Sequence, residues 1–308
     1  MILVLNLNAS IDKRYQLDTL RPGTVMRAPA YDTAGGKGIH VARVARLLGE
    51  EALLTGFLGG HAGAFVRERL VRAGLPGDFV QTAGETRCCL ALLTKDGGQT
   101  EILEPGPEIA AEELENFREK YAALLSCADV VVASGSLPRG VPKDFYAELI
   151  KKAHAADVPF LLDTSGEALA AGIEQQPDFI KPNQAELAAL LGEPVETREA
   201  AAEAARTLAA RGVRLVCVSL GAAGSIAVAA DAAYRVTVPH IDCQNPVGSG
   251  DSFVAGAATA RVRGYGLEDL LRLAAACGTA NAMEAESGYV RPETVRALLP
   301  QIEIAPLA

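Results

Sequence analysis

The stretch "QNPVGSGDSFVAG", residues 244–256, lies where a polar segment turns into an apolar one. Upstream, "AYRVTVPHI" alternates as a strand does. Downstream, "SFVAGAATARVRGY" is small, apolar and alanine-rich, the composition of a buried helix. Gly248, Ser249, Gly250 and Asp251 therefore fall in the first turn of that helix. A helix N-terminus offers unpaired N–H groups and a partial positive charge, and glycine lets backbone approach a ligand closely. Those are the requirements of an anion site. The competing reading makes Asp251 a helix cap beside an ordinary turn, and this stretch alone leaves both open.

Outward from it, short apolar runs alternate with helical patterns along most of the chain. "MILVLNL", "ALLTGFLG", "DVVVASG", "PFLLDTS", "DFIKPN" and "RLVCVSLG" read as buried parallel strands. Between them, "GIHVARVARLLGE", "GAFVRERLVRAG", "DFYAELIKKAHAAD" and "REAAAEAARTLAARG" have helical spacing. This alternation predicts an α/β fold: a doubly wound, mostly parallel sheet flanked by helices, whose ligands bind beyond the C-terminal strand ends. Two polar, strand-like segments, 12–34 and 86–106, break the pattern; the first turns at Pro22-Gly23 and the second at Asp96-Gly97-Gly98. A small sheet projecting over the active face accounts for both, while an antiparallel extension of the main sheet is the alternative. The expectation is one domain over 1–308 with these two segments inserted as a lid.

Composition narrows the function. The 308 residues carry 29 Lys and Arg against 38 Asp and Glu, a net charge of −9, which argues against nucleic-acid or anionic-membrane partners. No apolar run approaches the ~18 residues of a membrane span, and the opening "MILVLNLNASID" meets polar residues too soon for a signal peptide. Six cysteines show neither zinc spacing nor CxxC, so buried, reduced thiols in a cytoplasmic protein are expected. Four histidines, none at ligand spacing, make a transition-metal site unexpected.

Several other strand ends carry glycines or small polar residues. "TAGGKGIHVARVARLLG" places Gly35, Gly36, Lys37 and Gly38 before a helix, without the spacing of a P-loop. "ASGSLPRGVP" (133–142) and "VSLGAAGS" (218–225) follow strands. In "IKPNQAEL" (180–187), Asn183 and Glu186 fit a capping box, or a water-ligated Mg²⁺ near phosphates. Singly, each motif is explained by a turn or a cap.

Together, and in this order, "LNASID", "GGKG", "SGSLP", "KPNQAE" and "NPVGSGDSF" resemble the PfkB-type carbohydrate kinases, which have the ribokinase-like fold, over essentially the whole chain. Within the family the chain most resembles the tagatose-6-phosphate kinase and 1-phosphofructokinase branch, and "GETR" (84–87), "TEILEPGPEI" (100–109) and "ANAMEAESGYV" (280–290) look closest to the tagatose-6-phosphate kinases. The resemblance implies Asp251 as the base for the acceptor hydroxyl, with Gly248, Ser249 and Gly250 as the anion hole. It implies Asp12, Gly36, Lys37 and Gly38 as sugar contacts, and Arg87 on the substrate's existing phosphate with Lys37 and Arg27 as helpers. On the ATP side it implies Lys181, Asn183 and Glu186, the last reaching Mg²⁺ through water. Ser219, Gly221, Gly224, Gly278 and Asn281 would line the adenosine side. Two positions depart from the pattern, His40, where the family usually has asparagine, and Cys88, where the tagatose-6-phosphate branch usually has it; both are expected on the sugar side.

The implied activity is ATP-dependent phosphorylation of a ketohexose monophosphate to a bisphosphate. D-Tagatose 6-phosphate is the first expectation, D-fructose 1-phosphate the second and D-fructose 6-phosphate the third. A non-catalytic sugar-phosphate sensor is the alternative of a different class. The resemblance further implies a homodimer formed through the lid strands.

Overall fold

The computed structural model describes residues 1–307. Its main sheet has ten strands, beginning at one edge with Val80–Thr82, Ala52–Gly59, Ile2–Asn6 and Val130–Ser134. It continues through Phe160–Asp163, Phe179–Ile180 and Leu215–Ser219 to Ser225–Ala229, Ala233–Thr237 and Glu303–Pro306. Pairing is parallel from the Val80–Thr82 edge as far as Leu215–Ser219, and the last three strands add antiparallel.

Period-two alternation explains why the parallel strands are apolar throughout. Ile2 and Val4 point into one core layer while Leu3 and Leu5 point into the other, and all four are fully buried. The first layer is completed by helices Lys37–Leu47, Ser249–Val262 and Leu267–Ala282. In the second, Phe117 and Tyr121 pack with Phe145, Tyr146 and Leu149. Helix Ser249–Val262 is buried continuously from Asp251 to Ala260, which explains its small residues. A Cβ on Gly256 would lie 2.8 Å from Cα of Ala274 in the neighbouring helix.

The two polar segments build a separate four-stranded sheet in the order Ala30–Gly35, Ser10–Leu17, Arg87–Thr94, Gln99–Leu103. Its outer pairs are antiparallel and its central pair is parallel. Antiparallel extension of the main sheet occurs instead at its opposite edge, from strands near the C-terminus. Four further helices, Ala111–Leu125, Gly166–Ile173, Leu267–Ala282 and Pro292–Leu298, are ones the alternation did not single out.

No helix among the described residues is long and apolar enough to cross a membrane. All six cysteines are unpaired, but only Cys217 and Cys277 are buried; Cys127 and Cys243 are exposed, and Cys88 and Cys89 are half-buried.

Candidate active site

The turn at 244–251 ends with Gly248 in the left-handed region, φ 85°. A Cβ there would come within 2.5 Å of the Gly288 nitrogen, so glycine is required by both conformation and space. Ser252 N donates to Gly248 O at 2.9 Å, the first bond of the helix, while Ser249 N is taken by Pro246 O at 3.2 Å. The N–H groups of Gly250 and Asp251 precede the helical ladder and have no backbone acceptor among the described residues. These two amides, with the helix dipole behind them, form the anion-binding end. Asp251 does not cap the helix: it sits inside the first turn, 7% exposed, with Oδ2 2.8 Å from His40 Nδ1.

Asn281 holds this turn in place. Its amide donates to Val247 O at 2.8 Å and Ser249 Oγ at 3.3 Å. Its Oδ1 accepts from Gly288 N at 2.8 Å, Ser252 Oγ at 3.1 Å and Tyr289 N at 3.3 Å. The side chain is wholly buried, and these bonds make it a support of the glycine turn from behind.

The first strand ends against the other glycine run. Gly36, φ 121°, packs so closely on Asn6 that a Cβ would lie 2.5 Å from its Oδ1, and that oxygen accepts Gly38 N at 3.2 Å. A Cβ on Gly35 would fall on the Asp12 carboxyl group, 2.1 Å away; Ser10 Oγ donates to Asp12 Oδ1 at 2.6 Å. Asn6 Nδ2 is buried there without a partner. Asp12 also acts on His40. Burial opposes protonation of the imidazole, but the Asp251 hydrogen bond and charge, with Asp12 adding, raise its pKa above the ordinary value.

Asp163, at the end of strand Phe160–Asp163, is a site residue that the motifs did not single out. Its only signal was its place after "FLL" at a C-terminal strand end. It is buried, accepts from Ser134 Oγ at 3.2 Å, and lies 3.5 Å from Lys181 Nζ and 3.7 Å from Lys37 Nζ. Burial alone would push its pKa up; the two lysines and Ser134 outweigh that and hold it low. Lys181 Nζ also lies 3.0 Å from where a Gly250 Cβ would be. Lys37 is raised by Asp163 first, against burial, with Asp251 and Glu186 adding. Lys37 thus lies with the acids around the glycine turn and does not line the cleft that holds Arg87.

A cleft of about 570 Å³ is lined by Asn8, Arg87, Ser136, Arg139 and Lys143, among others, at the edge of the small sheet. Arg87 is fixed by Asn8 O at 3.2 Å and Glu104 O at 2.9 Å. Asn8 Nδ2 donates to Ser136 Oγ at 3.1 Å and to Pro105 O at 3.2 Å, joining the main and small sheets at the cleft. Arg27 is not brought there: it is exposed in the 18–29 loop and does not line the cleft. Cys88 is displaced too. In register, Ser10 pairs with Arg87, Ile11 with Cys88 and Asp12 with Cys89. Cys88 thus shares the face of Ile11 and packs on the core, while Cys89 shares the face of Arg87, Ser10 and Asp12. One position along a strand decides which cysteine looks toward the site.

On the remaining side, Asn183 and Glu186 form the full capping box: Asn183 Oδ1 accepts Glu186 N at 2.8 Å, and Glu186 Oε2 accepts Asn183 N at 2.9 Å. Glu186 Oε1 has no hydrogen-bond partner among the described residues. Ser219 bridges to Asn183, and Gly221 and Gly224 turn the chain with φ 60° and 86°. A Cβ on Gly221 would meet nothing within 4 Å, so that position faces open space. At Gly278 it would lie 3.1 Å from Ser249 O, a close packing point. No cluster of three or more His, Cys, Asp or Glu side chains among the described residues could cage a metal. Mg²⁺ readily takes one or two carboxylates and completes its shell with water and phosphate oxygens, and Glu186 fits that use.

The pfkB family carbohydrate kinase profile matches residues 9–293. The chain belongs to this family. Phosphofructokinase-2 from Escherichia coli, in complex with potassium, superposes with TM-score 0.92 at 28% identity, over 97% of this chain and 98% of that one. A Thermotoga maritima structure titled a possible 1-phosphofructokinase gives 0.91 at 25% identity, over 100% and 99%. Arabidopsis thaliana ribokinase, complexed with ribose and ATP, gives 0.78 at 24% identity over 97% and 98%, which establishes the common fold. The architecture is thus ribokinase-like, and the protein is an ATP-dependent sugar kinase.

Proposed function

We propose that this pfkB kinase phosphorylates a ketohexose monophosphate with ATP to give a bisphosphate, with D-tagatose 6-phosphate as substrate. One observation carries the anionic substrate: Arg87, Arg139 and Lys143 line a single cleft beside the small sheet. Glu104 and Glu167 share that lining, Lys143 pairs with Glu167 and Arg139 lies 3.9 Å from Glu108, so Arg87, held by two carbonyls that aim its guanidinium, is the cation best placed for a phosphate. The tagatose assignment rests on the "GETR", "TEILEPGPEI" and "ANAMEAESGYV" motifs. Similarity to phosphofructokinase-2 and to a possible 1-phosphofructokinase favours a second reading, a fructose phosphate.

Phosphoryl transfer asks a protein mainly for positioning and charge stabilisation. The Gly250 and Asp251 amides would hold the moving phosphoryl oxygens, and Lys181 and Lys37 flank them. Asp251 would take the acceptor proton. Ser219, Gly221 and Gly224 would border the nucleotide, and Glu186 would hold Mg²⁺ through water, where the ion offsets phosphate charge. The small sheet would act as a lid that excludes water and limits ATP hydrolysis.

The test is coupled ADP release with a panel of ketose and aldose monophosphates and free sugars. Turnover confined to ketohexose monophosphates is expected, with D-tagatose 6-phosphate highest in kcat/KM. Preference for free sugars would overturn the reading, and binding without ADP release would make the protein a sensor.

A further inference from the structure

We propose that Asp163 is a positioning residue of the phosphoryl transfer: its two carboxylate oxygens hold the ammonium groups of Lys181 and Lys37 beside the glycine turn, where the phosphoryl group is received. The inference rests on the reading of the Gly250 and Asp251 amides as the place where that group arrives.

Strand register builds the cluster. Strands Val130–Ser134, Phe160–Asp163 and Phe179–Ile180 are parallel neighbours; Ser134 pairs with Asp163, and Leu162 pairs with Ile180. Lys181, next after Ile180, therefore falls in one row with Asp163 and Ser134, with neighbours about 5 Å apart. The row lies at the C-terminal strand ends, where such sheets bind ligands. Lys37 reaches it from the first turn of helix Lys37–Leu47.

The carboxylate is divided between its partners. Oδ1 lies 3.5 Å from Lys181 Nζ, while Oδ2 lies 3.7 Å from Lys37 Nζ and accepts Ser134 Oγ at 3.2 Å. Only 5% of the Asp163 side chain is exposed, so water screens neither pair well. Burial opposes the charge on Asp163, but the two lysines and Ser134 outweigh it and keep the acid ionised. Both lysine separations exceed the usual hydrogen-bond range, which leaves each ammonium its N–H donors for phosphate oxygens. Lys181 Nζ lies 3.0 Å from where a Gly250 Cβ would be, so the absent side chain gives the ammonium its room at the turn. Of the acids that act on Lys37, Asp163 has the largest effect, ahead of Asp251 and Glu186. Since both Asp163 oxygens already face ammonium groups, a metal ion on this acid would have to displace one of them.

In the transfer, the acceptor O–H gives its proton to Asp251 and its oxygen forms the new bond to phosphorus. The bond to ADP breaks with its electron pair leaving on ADP, and Asp163 exchanges no proton. Charge spreads over the equatorial oxygens of the moving group. Cations fixed beforehand stabilise that charge without reorganising during the step. A lysine stem is flexible, so the anchor decides where its ammonium waits.

The experiment measures kcat, KM for both substrates and the MgCl2 requirement, using the ketohexose monophosphate that turns over fastest. Wild type is compared with Asp163→Asn, Lys37→Met and the double variant. Asp163→Asn should lower kcat about 100-fold, the cost of misplacing a group by about 1 Å. Both KM values and the half-saturating MgCl2 should change by less than about threefold, because ground-state binding is left in place. In the Lys37→Met background the same substitution should cost about tenfold less, since one ammonium it anchors is gone. Ser134→Ala keeps every charge but frees Oδ2, and should lower kcat by about tenfold with unchanged KM. A folded Asp163→Asn with near-normal kcat makes the cluster structural only and overturns the proposal. So does a MgCl2 requirement raised about tenfold, the mark of a metal residue, and so do strictly multiplicative losses in the double variant. If Asp163→Asn does not fold, normal kcat in Ser134→Ala overturns it. Full turnover in Asp251→Asn, or no turnover of any ketohexose phosphate by wild type, overturns the functional reading and this inference with it.

Discussion

Asn281→Ala separates a support for the anion turn from a contact to nucleotide. The wild-type amide is fully buried and serves Val247 O, Gly288 N, Tyr289 N and two hydroxyls. Truncation leaves at least one backbone N–H and one backbone C=O unpaired away from water, at about 1–3 kcal/mol each. Stability to urea should fall by roughly 2–6 kcal/mol on that count. The loosened turn also misplaces Gly250 and Asp251, and an error near 1 Å in a reacting group costs about 100-fold. We therefore expect kcat to fall about that much while KM for ATP changes by less than about threefold. Asn281→Asp keeps the acceptors for Gly288 and Tyr289 but cannot donate to Val247 O, so it should fall between wild type and alanine in both measurements. The reasoning is refuted by an alanine variant that loses under about 1 kcal/mol and raises KM for ATP, the behaviour of a residue that lines the nucleotide.

Asp251→Asn should lower kcat by roughly 10²–10⁴-fold with stability within about 1 kcal/mol of wild type; near-normal turnover of the purified variant would remove Asp251 from the chemistry. Arg87→Ala should raise KM for the sugar phosphate roughly 10- to 150-fold, the worth of one charge-assisted contact, and leave KM for ATP alone. Cys89→Phe, on the face shared with Asp12 and Arg87, should raise the sugar-phosphate KM about tenfold or more, as expected for overfilling a site by about 1–3 kcal/mol, whereas Cys88→Ser should act on stability only. Light scattering at micromolar concentration should give a dimer, because Tyr31, Ile102 and Leu103 leave apolar surface exposed on the small sheet; a monomer mass would refute pairing through it.

The fold was legible because local signals agreed with one another. Apolar runs such as "DVVVASG" can only be strands covered on both faces, and "SFVAGAATARV" can pack only as a helix with close neighbours. At the site, the glycine turn was legible for the same reason: its requirements are local. What escaped depends on tertiary placement. Asp163 carries no motif and becomes a site residue only because Lys37 and Lys181 converge on it. Asn281 looked like a pocket residue until the packing of its helix turned its amide toward the glycine turn. The two adjacent cysteines could not be told apart without the register that pairs Cys89, not Cys88, with Asp12.

On the proposed function, an acidic protein must take two phosphorylated ligands at one place. Asp163, Glu186 and Asp251 all act on Lys37, so the site by itself is not a field of positive charge. Two lysines and two free amides at a helix end offset the acids locally, and Arg87, Arg139 and Lys143 do so in the cleft alongside. A site arranged this way holds phosphate by position more than by net charge. Asp251 would have to serve as a base next to where the phosphoryl group arrives. A pocket of cations around it would work against that, because surrounding cations depress a carboxylate's proton affinity. The ion pairs of Lys37 and Lys181 are made to Asp163, and Arg87, Arg139 and Lys143 lie in the cleft, so the phosphate-facing cations are not paired to Asp251 itself.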